Sequence, residues 1–393
     1  MGDYLLEVLN LLARSLHVIA GIAWIGASFY FIWLDNHLVP PEGAGDAERG
    51  VAGELWAIHG GGFYHAQKYR VAPPAIPERL HWFKWEAYTT LLSGLALLAI
   101  VYYANAGLYL VDPSLAALSP AGAIGASAGV LAGGWIVYDL LCRSPLGGND
   151  RALGAVLAVL CVAAAYGLCQ LFPGRAAFLH FGAMLGTIMV LNVYFVIIPG
   201  QRRMVEAARA GRAPDPADGL RGKQRSVHNT YFTLPAVFTM ISNHYAWIFG
   251  HPWSWLALVA ISAAGALIRV YFVARHKGAA SPWPLALATI VLATTVYALR
   301  PGASATAVAP STQRAQAIVL ARCAPCHAAA PTFAGIAAAP KGVMLEHPAQ
   351  LTAQAALIRD QVNARAMPPG NLTQLTDSER SELLAWAQGV ARR

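Results

Sequence analysis

The sequence predicts an all-α protein, a polytopic membrane helix bundle of about eight transmembrane helices followed by a small helical domain. The first observation is the composition, because 56% of the 393 residues are hydrophobic and only 12% are charged. Few water-soluble folds tolerate such a composition. The second is that apolar windows of about twenty residues, the length that spans a bilayer, recur along residues 1–300. The third is a Pro-, Ala-, Ser- and Thr-rich stretch after residue 300, followed by a more polar segment.

These changes of composition divide the chain into three parts. Residues 1–300 form the predicted transmembrane domain, residues 301–313 a linker and residues 314–393 the small domain. The first apolar window lacks a basic leader and a small-residue cleavage site, so we expect it to be retained as a span. The predicted spans are residues 10–34, 87–106, 121–141, 152–172, 176–198, 228–250, 254–274 and 283–300.

The loop charges predict the orientation of the bundle in the lipid bilayer. Lys and Arg collect in the loops after the first, third, fifth and seventh spans, whereas the other side has only Arg14, Arg175 and Arg300 near its membrane ends. The positive-inside rule therefore predicts that the basic loops are cytoplasmic and that both termini lie outside. The net charge of +8 follows from this topology, and no nucleic-acid binding is expected because no single basic domain is present.

The motif "CAPCH" is the strongest chemical signal in the small domain. Cys323 and Cys326 are followed directly by His327, the spacing at which two thioethers hold a haem and the imidazole binds its iron. A zinc or redox site is disfavoured because the chain has no second cysteine pair of this kind. The other cysteines have no ligand-like spacing and are expected to be packing residues; they are Cys142, Cys161 and Cys169.

The small domain resembles the class I cytochrome c family in having "CAPCH", a late "MPPG" and a closing helix in the same order. Thr376 and Glu379 have the spacing of a capping box at the start of that helix. The resemblance implies a covalent haem c whose iron ligands, the metal-binding residues, are His327 and Met367. His347 is the alternative to Met367. Since such haems are attached outside the bacterial cytoplasmic membrane, the resemblance implies an inner-membrane protein with a periplasmic N-terminus and small domain.

Three histidines in the predicted spans lie toward the outer half of the bilayer: His17, His180 and His244. Ionisable groups inside a membrane are costly, which makes them candidates for function. Two of them could bind a non-covalent haem b near the outer surface. The alternative is that each histidine is hydrogen-bonded between helices and binds nothing.

A second polar cluster is predicted at the cytoplasmic boundary, near the glycine-rich "HGGGFYH" segment. Its residues would supply a base, cations and an amide to a planar anion, and aromatic neighbours would stack on it. We expect the catalytic residues to be His65, His81, Lys84, Glu86, His228 and Asn229. Arg269, inside the seventh predicted span, also needs a partner or a water-filled cavity.

The full set of motifs resembles the bacterial membrane-bound urate oxidase family. It comprises "HVIAGIAWIGASFYFIWLDNHL", "HGGGFY", "LHWFKWEAYTTLLSG", "VHNTYFTLPAVFTMISNHY" and "CAPCH" with "MPPGN". The resemblance implies an eight-span domain that oxidises urate to 5-hydroxyisourate. Electrons would pass through the fused c-type haem to the respiratory chain, with a downstream acceptor such as a cytochrome oxidase. A cytoplasmic substrate and an outer haem would be separated by about 30 Å of hydrocarbon, which favours an intervening cofactor.

Two other functions remain open from the sequence. The first is a quinol-linked membrane cytochrome b/c module that transfers electrons and has no purine substrate. Such a module would not need the glycine-rich segment between the first two spans. The second is a haem or copper transporter, which is disfavoured because the spans have few of the Met and Cys residues that pass copper along.

Overall fold

The computed structural model describes residues 2–276, 278–279, 281–300, 310–333 and 336–391, so most of the predicted linker lies outside the described residues. The first part of the chain is mainly helical. Its helices are α1 (Gly2–His37), α2 (Ala44–Glu48), α3 (Trp85–Leu97), α4 (Ala106–Tyr109), α5 (Pro120–Arg143), α6 (Asp150–Leu171), α7 (Gly174–Asn192), α8 (Ile198–Arg209), α9 (Pro216–Ile241), α10 (Ala246–Phe249), α11 (Ser254–His276) and α12 (Trp283–Ala298).

Among the described residues, six helical segments are long and apolar enough to cross a membrane, judged by length and composition. They are Tyr4–His37, Trp85–Tyr103, Pro120–Arg143, Asp150–Leu171, Gly174–Arg209 and Ser254–His276. The eighth predicted span corresponds to α12, which is apolar but shorter. Large hydrophobic side chains are exposed along several of these helices, as expected of surfaces that face lipid.

The sixth predicted span, residues 228–250, differs from the helix that forms there. Helix α9 begins at Pro216 and ends at Ile241, and a 3-10 turn (Ser242–His244) and α10 follow it. Its first half carries Arg221, Lys223 and Arg225, which lowers the hydropathy but does not oppose helix formation. A hydropathy window therefore located only the apolar end of a longer amphipathic helix.

The all-α expectation misses a β-hairpin between α1 and α3. Strands β1 (Val51–His59) and β2 (Gly62–Tyr69) pair antiparallel and are joined by Gly60 and Gly61. Both glycines have positive φ, 58° and 81°, the backbone that a two-residue hairpin turn requires. The glycine-rich segment, expected to be a loop around a ligand, is thus the turn of a two-stranded sheet.

Helix α7 lies at the centre of the bundle and packs against α5, α6 and α9. Nearly all of its residues from Ala176 to Asn192 are buried or half-buried. Where α7 crosses α9, a Cβ at Gly182 would collide with the Thr239 side chain. Small residues of this kind let membrane helices approach closely, so the α7–α9 contact depends on Gly182.

Helices α3 and α7 each continue into a π-helical segment. Leu98–Tyr103 follows α3, and Val193–Ile197 joins α7 to α8. Wider turns of this type are rare and often lie at functional sites. The first contributes Tyr102 and Tyr103 to a cluster around His180, and the second follows Asn192 directly.

The segments that connect the helices meet at two ends of the bundle. At one end, called the basic end, Arg209 donates to the carbonyl of Glu78, and Gln224 donates to the carbonyl of Gly147. The rings of His37 and His276, at the ends of α1 and α11, also meet there with centroids 5.0 Å apart. This end gathers the Lys- and Arg-rich connections; the other is called the opposite end.

The small domain has its own hydrophobic core. Its helices are α13 (Thr312–Arg322), α14 (Pro348–Ala353), α15 (Ala355–Asn363) and α16 (Asp377–Ala391). Ile318 of α13 packs in the same buried cluster as Leu383 and Trp386 of α16. The predicted capping box is confirmed, because Thr376 N–H donates to Glu379 Oε2 and Glu379 N–H donates to Thr376 Oγ1.

Candidate functional site

A connected group of polar side chains lies within the bundle, toward the basic end, and is called the Asn192 network. It comprises Tyr138 and Asp139 of α5, Asn192 of α7, and Arg225, His228 and Asn229 of α9. Tyr138, Asn192 and Arg225 are each at most 3% exposed. Buried polar groups are costly unless they are hydrogen-bonded, and three separate helices supply the partners here.

Both ends of this network fix the direction of its hydrogen bonds. Arg225 can only donate, and its Nη1 lies 3.3 Å from Asn192 Oδ1, so the Asn192 oxygen accepts. Asn192 Nδ2 must then donate, to Tyr138 Oη at 3.0 Å and to Asn229 Oδ1 at 2.8 Å. Asn229 Nδ2 in turn donates to the Met189 carbonyl at 3.0 Å.

This direction determines what His228 can offer. Tyr138 Oη accepts from Asn192, and its hydroxyl proton can donate to His228 Nδ1, 2.8 Å away. A neutral His228 then carries its own proton on Nε2. Nε2 has no hydrogen-bond partner among the described residues and presents an N–H donor to any group beside it.

The structure brings together two of the six predicted catalytic residues, His228 and Asn229, through Tyr138 and Asn192. His65 lies on β2, where it contacts Glu54 Oε2 at 2.9 Å and stacks on Trp56. The backbone N–H of Glu42 and the side chains of Gln67 and His65 hold the pKa of Glu54 below its usual value, although burial opposes them. His65 therefore belongs to the hairpin rather than to the network.

The remaining three predicted catalytic residues lie around the start of α3. The ring of His81 meets Phe83, with centroids 4.4 Å apart. Lys84 Nζ is 5.7 Å from the ring centroid of Trp85. Glu86 Oε2 is buried and has no partner in the described part of the chain. No hydrogen bond or ion pair among the described residues joins these side chains to the Asn192 network.

Sequence reasoning missed Tyr138, Asp139 and Asn192, and counted Arg225 only as a basic loop residue. Asn192 carried a signal, because an amide in the apolar run "MVLNVYF" is costly unless it is paired. Arg225 carried another, since it lies three residues before His228 and helical residues at this spacing are neighbours. Tyr138 had no such signal, because its position depends on how α5 is rotated toward α9.

His180 forms a separate cluster toward the opposite end. It is completely buried, its Nδ1–H donates to the Ala176 carbonyl at 2.7 Å, and its Nε2 lies 2.7 Å from Ser127 Oγ. Tyr103 Oη is 2.8 Å from the same Ser127 oxygen, and the Phe172 ring stacks on the imidazole at 4.8 Å. Both ring nitrogens of His180 are therefore occupied by the protein.

The other two histidines predicted to bind haem b lie elsewhere. His17 Nδ1 donates to the Thr90 carbonyl at 2.9 Å, and its ring packs against Gly94 of α3. His244 is exposed in the 3-10 turn that follows α9. No ring contact or hydrogen bond in the described ranges joins any two of the three histidines. A haem b bound by two of them stays a prediction.

The residues of the small domain do fit a covalent haem c. Cys323 and Cys326 are both free thiols. His327 Nδ1 lies 2.9 Å from the Val343 carbonyl, which can only accept, so the proton is on Nδ1 and Nε2 is free to bind iron. Two buried polar atoms in this domain, Asn371 Oδ1 and Arg380 Nε, have no partner among the described residues. A polar group bound in this domain would supply hydrogen-bond partners for such atoms.

The segment that carries Met367 is docked on the opposite end of the bundle. A Cβ at Gly370 would lie 3.0 Å from the Val111 carbonyl and 3.4 Å from Pro173. A Cβ at Gly250 would collide with the Ala364 carbonyl. Burial, together with the charge of Arg365 from the small domain, lowers the pKa of His251, in the turn after α10. His347, the alternative iron ligand, is exposed at the start of α14.

Comparison with known proteins gives one family. The family model described as "Urate oxidase N-terminal" matches residues 3–300. No curated protein and no solved structure matches the chain. Within the part of the chain that the structure describes, no group of three or more His, Cys, Asp or Glu side chains is arranged to hold a metal ion. A haem iron held by one histidine and one methionine does not require such a group.

Proposed function

The chain belongs to the urate oxidase N-terminal family, and from this premise we propose that it is a membrane-embedded enzyme that oxidises urate to 5-hydroxyisourate and delivers the electrons to a c-type haem in its own C-terminal domain. The observation that carries the proposal is the family match, which extends over the whole bundle. The long apolar helices support a lipid bilayer as its environment. Urate is the small-molecule partner, and the oxidoreductase class follows from the family.

The Asn192 network is the catalytic centre that we propose for this reaction. Urate takes up one water and loses two electrons and two protons to become 5-hydroxyisourate. A site for this planar anion needs hydrogen-bond donors on its oxygens and a buried surround that excludes bulk water. His228 Nε2–H provides such a donor, and Tyr138 and Asn192 hold the imidazole in that tautomer. Asn229 is fixed by Asn192 and the Met189 carbonyl and supports the same helix face.

Cys323 and Cys326 would attach the haem c, and His327 and Met367 would bind its iron. Held there, the haem would accept one electron at a time and pass it to a respiratory acceptor such as a cytochrome oxidase. The contacts of Gly250 and Gly370 bring the Met367 segment against the opposite end of the bundle, whereas the Asn192 network lies toward the basic end, so they account only for the last part of an electron path within the chain. A haem b stays a prediction, and no step of this mechanism passes through it.

The topology that we propose has the basic end in the cytoplasm and the small domain in the periplasm of a bacterial inner membrane. Two independent features support it. The Lys- and Arg-rich connections gather at one end, which the positive-inside rule assigns to the cytoplasm. The small domain contacts Val111, Pro173 and Gly250, all at the other end. The Asn192 network would then be open to cytoplasmic purines.

The test is anaerobic reduction of the purified protein by urate, followed at the absorbance band of the c haem. We expect urate to reduce the haem. Xanthine, which lacks one oxo group, should reduce the haem far more slowly. Ascorbate reduces the haem without using the urate site and shows that the haem domain is intact. No absorbance change with urate, in protein that ascorbate reduces, would exclude the proposed reaction. An alkaline pyridine spectrum of the same sample counts c and b haems.

A further inference from the structure

Arg269 of α11 is a buried arginine that no group in the described structure neutralises. It lies within a membrane-spanning segment and is 7% exposed. Its Nε and Nη2 atoms are both buried without a hydrogen-bond partner among the described residues. A charged group in this environment is expensive unless it is paired, so an unpaired guanidinium indicates a partner other than the described residues.

The two unpaired atoms are the ones that bind a carboxylate side-on. Nε and Nη2 point their hydrogens in the same direction and form the fork of the guanidinium. The same protein shows this fork in use. Arg203 donates from Nε and Nη2 to the two oxygens of Asp218, at 3.0 Å and 2.5 Å, and Arg314 does the same with Glu382. Arg269 presents the same fork, and no acceptor among the described residues binds it.

An aromatic side chain flanks the guanidinium. The Phe29 ring of α1 lies under it, with its centroid 4.9 Å from the Arg269 Cζ. Helix α9 packs against α11 one turn away, where a Cβ at Gly265 would lie 3.1 Å from Leu234. The guanidinium and its free fork therefore lie beside an aromatic ring. A flat anion could accept both hydrogen bonds and remain coplanar with the fork.

The chain offers no evident partner of its own. Pro235 lacks the N–H that would pair the Tyr231 carbonyl, yet Arg269 donates no hydrogen bond to that carbonyl in the described structure. The unpaired carboxylate oxygen of Glu86 is on α3, which packs mainly against α1 and α7 rather than α11. An acceptor from outside the chain therefore accounts best for the fork.

The position of Arg269 relates it to the Asn192 network. His228 lies on α9, the helix that packs against α11 one turn from Arg269. The free Nε2–H of His228 and the free fork of Arg269 are thus presented from α9 and α11, which pack against each other at Gly265. Both are donors, so both suit an anion.

We propose that Arg269 is the anion-binding residue of the substrate site, and that its fork grips two adjacent acceptor atoms of a planar organic monoanion. The inference rests on the proposed function for the identity of that anion, urate. An imide edge of urate has a carbonyl oxygen next to a ring nitrogen and matches the fork as a carboxylate does. Phe29 keeps the guanidinium plane in line with the ring of the ligand.

Equilibrium dialysis of urate against the dithionite-reduced protein tests the inference, because a reduced protein binds urate without oxidising it. Charge-assisted hydrogen bonds are worth about 1.5–3 kcal/mol each, so we expect Arg269→Gln to weaken urate binding by at least about tenfold. Arg269→Lys keeps the charge without the fork, so its affinity for urate should lie between those of the parent protein and Arg269→Gln. The matched control is Arg275→Gln, an exposed arginine on the same helix, which should bind urate like the parent protein.

Phe29→Leu provides a second variant in case Arg269→Gln does not fold, and a loss of about threefold in affinity is expected for it. Covalent haem content and ascorbate reduction monitor folding of every variant. Equal affinities for the parent, Arg269→Gln and Phe29→Leu would overturn the inference, as would a parent protein that does not bind urate. Arg269-dependent binding without urate-driven haem reduction would instead uphold the anion site and reject the proposed reaction.

Discussion

At the scale of single residues, Asn192 is the most informative side chain of the bundle. It is fully buried and links α5, α7 and α9 through hydrogen bonds to Tyr138, Arg225 and Asn229. Because Arg225 can only donate and the Met189 carbonyl can only accept, the amide of Asn192 has one orientation that satisfies all its neighbours. Through Tyr138, that orientation favours the Nε2–H tautomer of His228, the donor proposed for the substrate.

We predict that Tyr138→Phe lowers the rate of urate-driven haem reduction by roughly fivefold, because one hydrogen bond of about 1 kcal/mol no longer holds the His228 imidazole. The measurement is the anaerobic rate of haem reduction at saturating urate. The rate of haem reduction by ascorbate should be unchanged. The control is Tyr166→Phe, which removes a hydroxyl from a tyrosine that is half exposed on α6. Equal rates in the two variants would contradict a positioning role for Tyr138.

At the scale of elements, the long apolar helices and the capping box of α16 were largely predictable from the sequence. The "CAPCH" motif and the capping box at Thr376 depend on local spacing, and the capping box forms as predicted. The Asn192 network was only partly predictable, because Tyr138, Asn192 and His228 come from three helices whose mutual rotation is set by packing. The β-hairpin was missed for a different reason, since two glycines in a row suit both a loop and a tight turn.

The contact between α7 and α9 gives a prediction at this scale. Gly182→Ala introduces a Cβ that collides with Thr239, and such overpacking costs about 1–3 kcal/mol of stability. Gly186→Ala, one turn further along α7, introduces a Cβ with no atom within 4 Å and should gain about 0.5–1 kcal/mol from helix propensity. Thermal unfolding in detergent should therefore shift in opposite directions. A shift in the same direction would show that the crossing does not depend on Gly182.

At the scale of the whole molecule, two domains of different character meet at the opposite end of the bundle. The small domain has a separate hydrophobic core built from α13 to α16. Its contact with the bundle is made by the segment around Met367, through Ala364 and Gly370. The docking surface thus lies next to the residue proposed to bind iron, rather than at an arbitrary face of the domain.

We predict that Gly250→Ala loosens this docking, because the new Cβ meets the Ala364 carbonyl. Hydrogen exchange in residues 364–371 should become faster, and urate-driven haem reduction should slow while ascorbate reduction does not. Gly148→Ala, at the basic end, introduces a Cβ with no atom within 4 Å and serves as the control. Unchanged exchange in the Gly250 variant would indicate that the two domains do not depend on this contact.

The contact at Gly250 and Gly370 also has a kinetic consequence. Because the bundle and the small domain belong to one chain and are held at this contact, electron transfer between them would be unimolecular, with no diffusional search. The internal transfer should then keep the same first-order rate when the protein is diluted. Only the departure of electrons to an external acceptor should vary with concentration, so dilution separates the two steps.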